Sequence, residues 1–239
     1  MNEGAIEKAD GDPQVNPDNL LGTVESDHQE IRLSRVFIVG DADISMSIFE
    51  RMKNYCMVTI GHSLELAEQE FNSQDLIVVA LDTIDPYYLR KVNRTFYGIE
   101  AKVLYVTCDL WGGAIGPCVI RNETACYECF VQRRYDNSMQ ADFISQFKSF
   151  VSSSGQVAKR RPAKVVRDVV ATLACMEVLK ILSGFSFAES HEGQILVDAI
   201  GQRMEMHSLL RHPFCPVCGR GNSGPQEETL VSKLRGGVI

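Results

Sequence analysis

Two Cys-x-x-Cys pairs constrain this chain more than any other feature. They are Cys126-Tyr127-Glu128-Cys129 and Cys215-Pro216-Val217-Cys218, with 85 residues between them. Two thiolates two residues apart can bind one metal ion from a single tight turn, and two such turns complete a tetrahedral four-sulfur site. The separation is too long for a local zinc ribbon, so a metal here would tie remote segments together. The second pair, in Pro213-Phe214-Cys215-Pro216-Val217-Cys218-Gly219, has the proline and glycine of a rubredoxin-like turn. The pattern predicts structural Zn2+ held by Cys126, Cys129, Cys215 and Cys218. A closed four-sulfur site leaves no open position for catalysis. The competing readings are four unrelated buried thiols, or a redox dithiol, for which one pair would suffice.

Around these turns the apolar pattern is that of an α/β chain. Residues 36–39, 57–60, 76–81 and 102–107 are short apolar runs that read as strands. Ile44, Ile48 and Met52 follow the first run at helical spacing; Leu64, Ala67 and Phe71 follow the second; Leu89, Val92 and Phe96 follow the third. Asp85-Pro86 reads as an N-cap with proline in the first helical turn. Strands apolar throughout and alternating with helices predict a small Rossmann-like parallel sheet with helices on both faces. A helix is expected early in 131–162. A C-terminal helix is expected over 163–183, with Val166, Val169, Leu173, Met176 and Leu179 or Leu182 on its apolar stripe and Gly184 after it. Residues 194–200 and 203–210 read as a strand pair turning near Gly201-Gln202.

Charge divides the chain. The net charge of −7 is carried by residues 1–30, which hold eight acids and one base, while the rest has 23 of each. The neutral body has no bulk electrostatic signature for nucleic acid. The expected division is a disordered acidic arm over 1–30, an α/β domain with the zinc site over 31–219, and a flexible tail over 220–239. No apolar run is long enough for a membrane span, and residues 1–13 lack the basic start and apolar stretch of a secretory signal or transit peptide. A cytoplasmic protein is the expectation.

A dinucleotide or ATP site in a Rossmann unit needs G-x-G-x-x-G after its first strand, because the glycines let phosphates reach the backbone at the helix start. This chain has Gly40-Asp41-Ala42-Asp43-Ile44-Ser45 there. One glycine remains, and two carboxylates stand where phosphates would come. ATP binding is not expected. The remaining candidates for a ligand or cofactor site are Asp82, Asp85 and Arg90, followed by Asn93 and Arg94, placed after the third strand where α/β sheets bind ligands. Their plainer reading is a helix cap at Asp85 and solvated charges.

Several stretches together resemble a family. Gly116 to Ile120 and Asn122 to Cys129 look like the segment leading into the first zinc knuckle of ThiF-like proteins, the superfamily that includes the ubiquitin-activating enzymes. Asp82 to Asn93 is similar to that superfamily's aspartate-aspartate-arginine-asparagine stretch. Val170 to Lys180 resembles its late helix, and Leu209 to Cys218 its second knuckle. The likeness runs in matching order over about residues 32–219. It is strongest to the ThiF-like proteins of thiazole/oxazole-modified peptide (bacteriocin) biosynthesis.

That resemblance implies a scaffold or docking subunit for azoline formation, not catalytic alone. It would present a precursor, through its leader peptide, to a YcaO-type cyclodehydratase that does the ATP chemistry. Homodimers are common in the superfamily, so the resemblance implies one here too. The chain departs from many of these relatives in that residues 1–30 are too short and polar for a winged-helix leader-recognition domain. The alternative is an ATP-dependent adenylating enzyme activating a peptide or carrier-protein C-terminus, with Asp82 or Asp85 holding magnesium and Arg90 meeting phosphates. A metal-binding or redox regulator is the third reading.

Overall fold

In a computed structural model, residues 33–61, 70–83, 85–136, 161–184 and 188–219 are described below. Their core is built on apolar strand runs. β1 (Arg35–Gly40), β2 (Met57–Gly61), β3 (Leu76–Leu81) and β4 (Lys102–Cys108) pair in parallel, and β3 is buried at every position. Helices α1 (Ala42–Met52) and α2 (Pro86–Phe96) are the crossovers from β1 to β2 and from β3 to β4. Asp85 caps α2 as expected: its side chain accepts from the N–H groups of Tyr87 and Tyr88 at 3.0 and 3.1 Å.

Beyond β4 the sheet turns antiparallel. β5 (Gly112–Val119), β6 (Gly193–Asp198) and β7 (Arg203–Ser208) complete one seven-stranded sheet in the order β2-β1-β3-β4-β5-β6-β7. The expected C-terminal strand pair is present as β6 and β7, and it continues the sheet through β5. No strand is expected from sequence at β5, because Gly112, Gly113, Gly116 and Pro117 disguise it. The local signal is Asp109, whose Oδ1 accepts from the N–H of Trp111 and of Gly112 and reverses the chain between β4 and β5. Bare glycines suit the place: a Cβ on Gly113 would sit 2.2 Å from the Thr107 carbonyl oxygen.

Helices cover both faces. Val36, Ile38, Val78, Leu104 and Val106 point to α1 and to α4 (Lys164–Leu182). Phe37, Val39, Ile77, Val103 and Tyr105 point to α2 and to α3 (Tyr127–Asp136). A short α5 (Glu189–Glu192) leads into β6. The helix expected over 163–183 is present, and Val166, Leu179 and Leu182 of its expected stripe are buried. Val170, Ala171, Ala174 and Val178 face inward, whereas Val169 and Met176 are exposed. The helix packs against the sheet and α1 together, as the approach of Cys175 to the Ile48 carbonyl shows. Small residues permit that close approach. The expected helix at Leu64, Ala67 and Phe71 falls mostly outside the described residues, and Phe71 itself is not helical. The expected arm (1–30) and tail (220–239) also lie outside them. No helix of the described residues is long and apolar enough to cross a membrane.

Candidate functional site

The four cysteines singled out from sequence converge. Cys126 immediately precedes α3 and Cys129 lies in its first turn, Cys215 and Cys218 form a turn after β7, and all four are buried with their sulfurs within 4.8 Å of one another. Cys126 Sγ lies 3.9 Å from Cys129 Sγ and 3.6 Å from Cys215 Sγ; Cys129 Sγ lies 3.2 Å from Cys218 Sγ. A tetrahedron of sulfurs at metal–sulfur distances near 2.3 Å has edges of about 3.8 Å. The cluster is thus close to the size that a single ion requires, and the four thiols could hold a metal ion.

The turn geometry is that of a knuckle. Gly219 donates its N–H to the Cys215 carbonyl at 2.8 Å, and a Cβ on Gly219 would lie 2.4 Å from that oxygen. The His212 N–H donates to Cys129 Sγ at 3.3 Å. Such donors stabilise thiolates and fix their direction, the outer-shell role that conditions metal affinity. Two arginines brace the second turn. Arg133 donates to the Leu210 and Arg211 carbonyls, and Arg211 to those of Asn122 and Cys218.

The other candidates divide into two groups. Arg90 and Asn93 serve the knuckle. The Arg90 guanidinium makes a two-pronged pair with Glu128, a carboxylate only 1% exposed on the residue between the first two cysteines. Asn93 Oδ1 accepts from the Tyr127 N–H at 3.1 Å. These contacts clamp α2 to the start of α3. Asp85 is used as the cap of α2.

Asp82 faces a different place, the C-terminal ends of β1 and β3. Gly40 there has φ +135°, and a Cβ on it would lie 1.8 Å from the Ala80 carbonyl oxygen. The glycine is required by the close approach of the two strands. The Asp82 N–H donates to Asp41 Oδ2 at 2.9 Å. The carboxylate of Asp82, 4% exposed, accepts from Arg167 Nε at 2.8 Å, and Arg167 Nη2 reaches Asp43 Oδ2 at 3.1 Å. Arg161 adds a longer contact to Asp43, 3.5 Å. Burial raises the Asp82 pKa, Arg167 opposes that rise, and the charges of Asp41 and Asp43 add to it. For Arg167 burial acts downward, but the hydrogen bond and charge of Asp82 outweigh it and hold the guanidinium charged.

The helix start that receives phosphates in a nucleotide-binding Rossmann unit is therefore lined with three carboxylates and stoppered by an arginine from α4. These residues do not fit a triphosphate. Arg167 and Glu128 are the residues that sequence reasoning missed. No local signal sets Arg167 apart from the other charged residues of that helix.

Known proteins agree with this architecture. The model of the ThiF family matches residues 46–217. No curated protein matches significantly. Among solved structures, a heterocyclase in complex with substrate and cofactor aligns with TM-score 0.62 and 17% identity over 81% of this chain and 26% of that one. The heterocyclase TruD aligns with TM-score 0.62 and 18% identity over 83% and 29%. E. coli MccB aligns with TM-score 0.60 and 16% identity over 84% and 68%. At these identities the likeness is one of fold, and the chain spans under a third of either heterocyclase. The family match covers well over half of the sequence, its order of elements is the one described, and the chain belongs to the ThiF family.

Proposed function

We propose that this chain is a docking subunit for azoline formation, which presents a ribosomally made precursor to a YcaO-type cyclodehydratase and does not adenylate anything itself. The observation that carries the proposal is the stoppered helix start. Arg167 pairs with Asp82 and Asp43 where an activating ThiF-like enzyme would need room for phosphates. The likeness to one portion of two heterocyclases supports it further, since that portion has the fold described here. In this reading the four cysteines hold Zn2+, the metal that four-thiolate tetrahedral sites usually take. The ion ties the end of the sheet to α3 and keeps the platform rigid.

The likeness to MccB keeps the adenylating alternative testable, because MccB has been seen with ATP. Two measurements separate the readings. The first mixes the YcaO-type protein and precursor with and without this chain and follows loss of water by mass spectrometry. Faster azoline formation with the chain, and co-elution with the cyclodehydratase, is expected. Equal rates and no co-elution would remove the docking role. The second is calorimetry with ATP. Micromolar affinity abolished by Asp82→Ala would make the chain an adenylating enzyme instead.

A further inference from the structure

The two faces of the sheet treat their cations differently. On the α1/α4 face the bases of the helices are paired: Arg51 and Lys164 with Asp168, Lys53 with Glu50, Arg167 with Asp82 and Asp43, and Lys180 with Glu177 and Glu189. On the α2/α3 face, Lys91, Arg94 and Arg134 are exposed and have no carboxylate partner among the described residues. Lys91 and Arg94 line one shallow depression of about 270 Å³ with Arg90, Tyr87 and Thr95. Of the acids near this charge, Glu128 is buried against Arg90 and Asp85 caps α2, while Glu100 is exposed just beyond the C-terminal end of α2.

We propose that this basic face is the docking surface for the chain's own acidic residues 1–30. Charge complementarity selects the occupant: that segment alone carries −7, and the rest of the chain is neutral. The path is short. Arg35 at the start of β1 bonds Asp75 just before β3, and the Lys102 N–H at the start of β4 bonds the Asp75 carbonyl. Helix α2 runs back from the top of β3 to the start of β4, so Arg94 stands at the end of the sheet from which residues 1–32 lead. Thirty residues can extend over roughly 100 Å, far more than the distance to be covered. A docked segment would screen the basic face from other acidic polymers until a partner or salt displaced it. The inference does not depend on the docking role proposed above.

Zero-length carbodiimide cross-linking of the full chain tests it. At low salt, Lys91 should join an acidic side chain among residues 3–30, within one chain when light and heavy isotope-labelled copies are mixed. The yield should fall about five-fold at 0.5 M salt, where exposed charges are screened beyond a few ångströms. It should fall similarly in Arg94→Glu/Arg134→Glu, two exposed positions whose replacement spares the core. Lys53, Lys164 and Lys180 on the opposite face are internal comparators. Equal yields at those lysines, links only between different chains, or no link at Lys91 would each overturn the proposal.

Discussion

Replacing Arg167 with alanine isolates what the stopper contributes. Asp82 is almost fully buried and Arg167 is its only charged partner of opposite sign among the described residues, so Arg167→Ala leaves a carboxylate in the interior beside Asp41 and Asp43. Removing one partner of a buried pair costs about 3–5 kcal/mol. The lower end applies here, because Asp43 is 45% exposed and water can approach from that side. The variant escapes part of the penalty by protonating. Asp82 already has a raised pKa, and losing the guanidinium raises it further. A carboxyl whose folded pKa lies above its unfolded value near 3.9 holds more protons in the folded state between the two values. Stability therefore falls as pH rises through that window, and the deficit is full only above the folded pKa. Urea unfolding at pH 7.5 and at pH 5 should show a loss of about 3 kcal/mol at the higher pH and a smaller one at the lower. Asp82→Asn in the same background should recover most of it. A deficit below about 1 kcal/mol at pH 7.5, the level of an exposed ion pair, would refute the reasoning. So would a deficit that Asp82→Asn leaves unchanged.

Two further perturbations test other parts of the molecule. Elemental analysis of protein purified without chelator should find one zinc per chain, and chelation or Cys218→Ser should lower the melting temperature markedly, because structural zinc supplies folding free energy directly. Gly40→Ala should destabilise by about 4 kcal/mol or more, since the added Cβ would lie 1.8 Å from a backbone oxygen in the centre of the sheet; a soluble variant with near-native stability would show that β1 and β3 can separate there.

Much of this molecule can be read from the chain alone. A cysteine pair two residues apart is a local pattern with one dominant use, so Cys126, Cys129, Cys215 and Cys218 announce their cluster across 89 residues without help from the fold. Residues 76–81, apolar throughout, can only be a strand covered on both sides, and Asp85-Pro86 starts a helix by its own bonds. The missing glycines after β1 are likewise a local fact. Three things were decided only in three dimensions. Helix α4 carries apolar residues on more than one side, so periodicity could not choose between Val169 and Met176 on the one hand and Val170 and Ala174 on the other; contact with α1 and the sheet chose. Strand β5 owes its existence to neighbours on both sides, since its glycines and proline give it little strand propensity of its own. The stopper joins Arg167 to residues 85 and 124 positions earlier. A charge in a sequence states its sign and not its partner. Coulomb attraction acts through space, and only the packing of α4 over the ends of β1 and β3 brought that arginine to the carboxylates it neutralises.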